Sequence, residues 1–350
     1  MKRIAPISTI RFFLALWVFL SHFPYPILTE HQSNPILWIL RSVLRNSFNG
    51  PAAVMVFFVI SGFCIHFPNR EGMEIPSWRA YYARRYVRIL IPMGAAIALA
   101  LPLRLNLGLY VNFILWSLLC EEIYYLIYPM LLRTRDLIGW RGLLAVAWIT
   151  SCVVIFRNPA AKEYHNFGPA LTWIVGLPCW LLGARMAEQL DNFSSHHVSA
   201  QEIWLWRCSV WSLSLISSAL RFHTPIGFPW TLNLFAIVAA LWVEREIAYF
   251  NTRKAVPALE KMGEASYSVY LTHMHGSVLT GIMLGGAYTL SFWWLNLLVT
   301  SFTASVFYFG MEQPSHRLAR VISGRFIWHQ YRSAIAGWKR RESSTVSRHP

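Results

Sequence analysis

The sequence predicts an all-α, polytopic integral membrane protein with about ten transmembrane helices and both termini in the cytoplasm, N-in/C-in. Of its 350 residues, 55% are hydrophobic and 13% are charged, and the mean hydropathy is +0.40. A soluble domain carries about 25% charged residues. The composition alone therefore indicates a membrane protein.

About ten apolar runs follow one another along the chain, with lengths close to those of membrane spans. They lie near residues 7–28, 51–67, 87–103, 109–132, 142–156, 169–187, 203–220, 226–243, 265–285 and 290–310. If the N-terminus is cytoplasmic, the outer segments hold few basic residues, which are Arg41, Arg45, Arg104, Arg157, Lys162 and Arg221. Most Lys and Arg then lie inside, as the positive-inside rule requires. The net charge of +15 thus reflects topology, and we predict no nucleic-acid partner.

No segment between the runs is long enough to fold as a soluble domain. We therefore divide the chain into a transmembrane domain, residues 1–316, and a basic cytoplasmic tail, residues 317–350. The first part of the tail mixes cations with Ile, Phe and Trp. This mixture is typical of a helix that lies on anionic lipid of the inner leaflet.

Neither the cysteines nor the histidines form a metal-binding pattern. The five cysteines are widely spaced within or beside apolar runs, without a C-x-x-C pair. We interpret them as reduced packing residues. His273 and His275 project to nearly opposite sides of a helix, and neither has i, i+4 spacing to another ligand. We predict no metal site.

Arg11 and His22 are the first cluster with chemical potential, because a charged residue in the middle of a membrane costs about 2.5 kcal/mol or more. Eleven steps of about 100° bring both side chains to one helix face, about 16 Å apart along the axis. A structural role is one interpretation, with Arg11 extending to the inner headgroups and His22 bonded to a backbone carbonyl. The other is a site along this face.

The second cluster is Phe57–Phe63, in which Ser61 and Gly62 are adjacent within an apolar run. Such a pair most often marks close helix packing. It also places a hydroxyl inside the membrane, and Ser61 is therefore a secondary site candidate.

The third cluster is Arg84, Arg85 and Arg88, at the cytoplasmic start of the third run. Arg85 and Arg88 are three residues apart and share a helix face. They either anchor the span or form a fork for phosphates, a task that suits the planar guanidinium group.

The fourth cluster contains two adjacent carboxylates, Glu121 and Glu122, within an apolar run. The spacing predicts one polar stripe of Ser117, Glu121, Tyr124 and Tyr128, with Glu122 turned about 100° away. A structural ion pair with a distant Arg or His is the alternative to a role in a site.

The fifth cluster is Ser266–His273, which opens the ninth run, together with Glu312, which closes the tenth. Ser268 and His273 are polar residues in an apolar segment. At most one of His273 and His275 can face a common cavity.

The first three clusters resemble motifs of the acyltransferase 3 family of multi-span membrane acyltransferases. Arg11 and His22 fit its R-x10-H motif. Phe57–Phe63 fits F-F-x-x-S-G-F, and Arg85 and Arg88 fit R-x-x-R.

The last two clusters extend this resemblance. Trp116–Pro129 is similar to the family's W-S-L-x-x-E-x-x-Y segment, and Ser266–His273 is similar to S-Y-x-x-Y-L-x-H. Each motif alone is weak, but five in register make the resemblance specific, and together they extend through most of the chain.

The resemblance implies a ten-helix acyltransferase domain, here residues 1–316. Such a domain takes an acyl group, usually acetyl, from acyl-coenzyme A (acyl-CoA) at the cytoplasmic face and transfers it to a hydroxyl. The acceptor is commonly a surface glycan of bacteria, such as lipopolysaccharide, or its lipid-linked precursor. The implied donor is thus acyl-CoA, in particular acetyl-CoA, without a metal. Membrane lipid and polysaccharide-assembly proteins are implied partners, and the bacterial inner membrane is the implied location.

The resemblance also assigns roles. His22 acts as general base or takes the acyl group as a transient acyl-imidazole, Arg11 lines the route, and Glu121 fixes the tautomer of His22. The phosphates of the donor are bound by Arg84, Arg85 and Arg88. Secondary candidates are Ser61, Glu122, Ser268, His273 and Glu312.

Two other classes of function compete with acyl transfer. A transporter or flippase would use the buried Arg, His and Glu as a proton or substrate path, although we find no inverted repeat. A catalytically inactive relative would bind lipid or act as a scaffold. Only the enzyme depends on acyl-CoA.

Overall fold

The structure is a computed structural model that describes residues 4, 6–25, 35–70, 75, 77–285 and 288–328. Every regular element in these ranges is helical, which confirms the all-α prediction. The helices are α1 (Ile7–His22), α2 (Pro35–Asn46), α3 (Gly50–His66), α4 (Trp78–Ala100), α5 (Leu107–Tyr110), α6 (Trp116–Arg157), α7 (Gly168–Glu188), α8 (Leu190–Ser194), α9 (Ala200–His223), α10 (Phe228–Asn251), α11 (Pro257–Glu264), α12 (Ser266–Leu284) and α13 (Leu290–Phe307).

Two π-helical turns interrupt the α-helices. Val111–Leu115 joins α5 to α6, and Tyr308–Glu312 follows α13. The helix then continues through residues 313–328. The rest of the predicted basic tail, residues 329–350, lies outside the described residues.

The predicted membrane character is supported by four stretches that are long and apolar enough to cross a bilayer. They are Ile36–Asn69, Leu107–Arg157, Tyr164–Glu188 and Leu290–Trp328, whereas α1 is apolar but shorter. Other predicted runs lie in helices that also carry charge, such as α4 with its arginines. The count of about ten spans and their orientation therefore stay a prediction.

Helix α6 consists of two arms rather than one straight rod. Tyr124 donates a hydrogen bond to the carbonyl of Trp173 at 2.8 Å, and Ser151 donates to that of Val175 at 3.1 Å. In one straight helix Tyr124 and Ser151 would be about 40 Å apart, yet they contact neighbouring residues of α7. The chain turns back at Gly139, whose φ of 71° is open to glycine at little cost. The two arms match the predicted runs 109–132 and 142–156.

Close packing of α3 against α7 confirms the packing role expected for Gly62. A Cβ atom on Gly62 would lie 1.9 Å from the carbonyl oxygen of Trp180, and one on Gly183 would lie 1.8 Å from that of Val59. Neither position accepts a side chain without moving the backbone of its neighbour. This close packing sets the rotation of α3 about its axis, and Ser61 then faces the first arm of α6.

Candidate active site

One cavity of about 280 Å³ brings the five sequence clusters together. Its wall is formed by α1, α3, α4, the first arm of α6, α12 and the π-helical turn after α13. The predicted site residues that line it are Arg11, Ser61, Arg84, Arg85, Arg88, Glu121 and Glu312. Much of the remaining wall is apolar, with Phe57, Phe58 and Leu118 among its residues.

Four predicted candidates, His22, Glu122, Ser268 and His273, do not line this cavity. Ser268 supports it, because its backbone N–H and its hydroxyl both donate to Glu312 Oε2, at 3.0 and 2.5 Å. Glu122 is buried, and neither of its carboxylate oxygens has a hydrogen-bond partner among the described residues. His22 and His273 lie on the far side of Tyr270 from the cavity.

The arginine end of the cavity holds guanidinium groups that lack carboxylate partners. Within the part of the chain that the structure describes, Arg11, Arg84, Arg85 and Arg88 form no ion pair within 4.0 Å. Arg85 Nε is buried and has no hydrogen-bond partner among the described residues, and the Arg85 guanidinium lies 5.9 Å from the ring centroid of Tyr81. Buried donors without partners are costly, and acceptor atoms of a ligand would satisfy them.

Arg88 has a partner that the sequence clusters did not include. Its Nε donates to Nε2 of His316 at 2.9 Å, and the Ser315 hydroxyl contacts the carbonyl of Arg88 at 3.4 Å. The same His316 nitrogen lies 3.7 Å from Glu312 Oε1. The i, i+4 spacing of Glu312 and His316 was the available signal. The helix over residues 313–328 therefore packs against the arginine end.

The charges of the cavity do not balance. Four guanidinium groups face two carboxylates, Glu121 and Glu312. Both carboxylates are already engaged, Glu312 by Ser268 and Glu121 by the hydroxyl of Tyr125 at 3.2 Å. The surplus is positive, and an anionic ligand would offset it.

A directed chain of hydrogen bonds ends on Glu121. Trp180 Nε1 donates to Ser61 Oγ at 3.3 Å, and the hydroxyls of Ser61 and Tyr125 are 2.9 Å apart. Because Tyr125 donates its single proton to Glu121, Ser61 donates to Tyr125. All three donors thus point towards the carboxylate.

Two of the four residues predicted for the polar stripe on α6, Tyr124 and Tyr128, do not line the cavity. Ser117 and Glu121 line the cavity, but the third member is Tyr125. Tyr124 instead bonds to α7, and the Tyr128 hydroxyl lies 2.7 Å from Nδ1 of His66. Residues four apart on a helix differ in direction by only about 40°. The side chains of α6 that line the cavity therefore follow the i, i+4, i+8 row of Ser117, Glu121 and Tyr125. Glu122 does not line the cavity, although Leu118 and Tyr125 on its side of the helix do.

The π-helical turn Val111–Leu115 supports the opposite end of the cavity. The carbonyl of Ile114 lies 3.1 Å from Ser117 Oγ and 3.3 Å from the Tyr270 hydroxyl. The two hydroxyls are themselves 2.7 Å apart. Such turns are frequent at functional sites because they disturb the regular hydrogen-bond ladder. Tyr270 was visible in the fifth cluster only as a motif residue.

His22 and His273 form a stacked pair next to this end. Their ring centroids are 5.2 Å apart with an interplanar angle of 27°, and the Phe113 ring lies 5.4 Å from His22. Nε2 of His275 lies 2.8 Å from the carbonyl of Ala96, on α4. The expectation that the two histidines of α12 face different sides is therefore confirmed. Among the described residues no hydrogen bond joins His22 to Glu121, which accepts one from Tyr125.

The described residues contain no group of three or more His, Cys, Asp or Glu placed to hold a metal ion. All five cysteines are free, and Cys64 lines the cavity.

Comparison with known proteins identifies the class to which this helical bundle and its cavity belong. Residues 5–311 match the profile of the acyltransferase 3 family, described as an acyltransferase domain. The chain belongs to this family, and the protein is an enzyme that transfers acyl groups other than amino-acyl groups.

A curated relative carries the same activity in its name. The chain is 26% identical over 328 residues to the acyltransferase MdmB of Streptomyces mycarofaciens, with 81% of this chain and 83% of the relative covered. No solved structure matches the chain.

Proposed function

We propose that the protein is a membrane O-acyltransferase, specifically an O-acetyltransferase, that uses cytoplasmic acetyl-CoA and acylates a hydroxyl of a surface glycan or of its lipid-linked precursor. The observation that carries this proposal is the cavity with four arginines free of carboxylate partners. A donor with phosphate groups would satisfy them, and family membership supplies the acyl transfer.

The donor fits the arginine end by charge and by shape. Phosphate oxygens accept parallel hydrogen bonds from planar guanidinium groups, and this geometry favours arginine over lysine. Arg84 is exposed, whereas Arg85 and Arg88 are half-buried. The phosphates would thus meet Arg84 first, and the acyl-pantetheine arm would extend along the apolar wall towards Tyr270.

The reaction would take place where the cavity approaches His22. As general base, the His22 imidazole removes the proton of the acceptor hydroxyl while the hydroxyl oxygen bonds to the acyl carbon. The carbon–sulfur bond breaks, and the CoA thiolate recovers the proton from His22. In the two-step route a neutral His22 nitrogen attacks the acyl carbon, the carbon–sulfur bond breaks, and CoA leaves as the thiol with the proton that the imidazole gives up. The acceptor hydroxyl then attacks the acyl-imidazole, the carbon–nitrogen bond breaks, and the hydroxyl proton returns to the imidazole.

The membrane arrangement that we propose has ten spans with both termini inside. The clustering of Lys and Arg on the inner segments supports it. Arg84, Arg85 and Arg88 are then cytoplasmic, on the side where acyl-CoA is made available. The bacterial inner membrane is the corresponding location, and polysaccharide-assembly proteins are the corresponding partners.

The decisive experiment supplies purified protein in detergent with acetyl-CoA labelled in the acetyl group and with candidate acceptor glycans. We expect label to appear on the acceptor in proportion to enzyme. Label on the protein before acceptor is added would select the acyl-imidazole route. Movement of substrate in vesicles without any dependence on acetyl-CoA would instead favour a transporter and contradict the proposal.

A further inference from the structure

The stacked histidines are unequal in their hydrogen bonding. His273 is 1% exposed, and its Nδ1 lies 2.8 Å from the carbonyl of Tyr270 and 3.3 Å from that of Val269. Carbonyl oxygens only accept, so Nδ1 carries the hydrogen. Nε2 of the neutral ring therefore carries a lone pair.

This lone pair has no partner in the part of the chain that the structure describes. Nε2 of His273 is buried and accepts no hydrogen bond. An unsatisfied buried acceptor is unfavourable, and native proteins leave few of them. The ring that stacks on His273 is that of His22.

His22 needs an acceptor of this kind in either proposed role. An imidazole that attacks or removes a proton with one nitrogen carries a hydrogen on the other, and that hydrogen must be held by a third group. The carboxylate expected to do so, Glu121, is engaged by Tyr125 in the cavity. His273 is the neighbouring group that has a vacant lone pair.

We propose that His273 is the positioning residue of His22, because its Nε2 accepts a hydrogen bond from the His22 nitrogen that does not face substrate. The rings stack in this structure, so the proposed bond requires the His22 ring to turn about its Cβ–Cγ bond. His273 keeps its own proton on Nδ1 throughout. The hydroxyl proton passes to His22 and then to the CoA thiolate, as in the proposed reaction. The role of His273 rests on that proposed function.

His275 provides a matched control on the same helix. It is also 1% exposed, and its Nδ1 likewise has no partner among the described residues. Its ring, however, contacts Tyr110 edge-on at 5.4 Å and faces α4. If any buried imidazole on this helix were needed for folding, substitution of His273 and of His275 would lower kcat equally. If His273 positions His22, only substitution of His273 lowers kcat.

Two substitutions separate the lone pair of His273 from its stacking. His273→Phe keeps a flat ring against His22 and removes the acceptor. His273→Gln loses the ring and retains an acceptor oxygen near the Nε2 position. We expect kcat to fall about 10- to 100-fold in His273→Phe, the effect of one hydrogen bond to a group that becomes charged. His273→Gln should retain several-fold more activity, and KM for acetyl-CoA should stay within about twofold in both.

Steady-state kinetics of the full-length protein decide between these outcomes, with His275→Phe as the control whose kcat stays within about twofold of wild type. The role is overturned if kcat is unchanged in His273→Phe, if the Phe and Gln variants lose equal activity, or if KM rises instead of kcat falling. Should His273→Phe fail to fold, His273→Asn, which also lacks an acceptor near Nε2, replaces it.

A wild-type protein that transfers nothing from acetyl-CoA refutes the proposed function itself, whereas an active wild type with an unaffected His273→Phe refutes only the positioning role.

Discussion

The cavity and the interface between α9 and α10 both hold arginines inside the helical bundle, and they differ in whether those arginines have carboxylate partners. Arg207 donates to both oxygens of Glu246, at 2.6 and 3.0 Å, and Trp242 Nε1 donates to the same carboxylate at 2.9 Å. In the cavity, Arg85 keeps a buried Nε that has no partner in the described part of the chain.

This difference indicates which polar residues serve stability and which serve function. The carboxylate of Glu246, 2% exposed, is satisfied by three donors, so nothing at that interface requires a ligand. The cavity arginines keep donors that neighbouring carboxylates do not satisfy. Native proteins leave few such donors unsatisfied, and the phosphates of the proposed donor would satisfy these.

The largest effect is expected at the reacting end of the cavity. His22→Ala should reduce acyl transfer by about 10²- to 10⁴-fold, because the general base or nucleophile is lost. Transfer of labelled acetyl to acceptor measures the loss. Size-exclusion and thermal-unfolding profiles like those of wild type serve as the control for folding. Wild-type activity in a well-folded variant would exclude the proposed mechanism.

The next effect is expected at the arginine end. Arg85→Ala should raise KM for acetyl-CoA by about 10- to 100-fold, since a hydrogen bond to a charged group contributes about 1.5–3 kcal/mol. Its effect on kcat should be smaller. Arg85→Lys keeps the charge but not the planar fork, and its KM for acetyl-CoA should lie between those of wild type and Arg85→Ala. An unchanged KM in Arg85→Ala would remove Arg85 from the donor site.

Arg207→Ala is the counterpart of Arg85→Ala at the satisfied interface. It leaves the Glu246 carboxylate buried with fewer donors, which should lower the stability by about 1–3 kcal/mol. Thermal unfolding in detergent measures this loss, and KM for acetyl-CoA should stay within about twofold of wild type. A rise in KM like that of Arg85→Ala would show that the contrast between the two regions does not separate their roles.

The smallest effect is expected in the hydrogen bonds that end on Glu121. Tyr125→Phe removes the hydroxyl between Ser61 and Glu121, a contribution of about 1 kcal/mol, so kcat should fall by roughly fivefold. Tyr124→Phe is the matched control, because its hydroxyl bonds to the carbonyl of Trp173 at 2.8 Å on the other side of the helix. Equal kcat values for the two variants would contradict a role for Tyr125 in the cavity.

Much of the site was predictable from motif residues alone. Arg11 and Glu121 were predicted because charge is unfavourable in apolar helices, and Arg85 and Arg88 because they share a helix face and could bind phosphates. All four line the cavity, as does Glu312 from the fifth cluster. The prediction that Tyr124 shares the polar stripe of Glu121 failed because helix spacing does not say which row of side chains a neighbouring helix covers. Here α7 covers Tyr124 and leaves Tyr125 in the cavity.

The sequence by itself determined the helical class, the membrane character and the set of residues too polar for their surroundings, because these follow from composition and local spacing. The tertiary structure alone decided which of those residues have partners. It placed Glu246 against Arg207 and His273 against His22. Both contacts join side chains on different helices. The free energy of a buried polar group depends on such partners, and they are known only once the helices have packed.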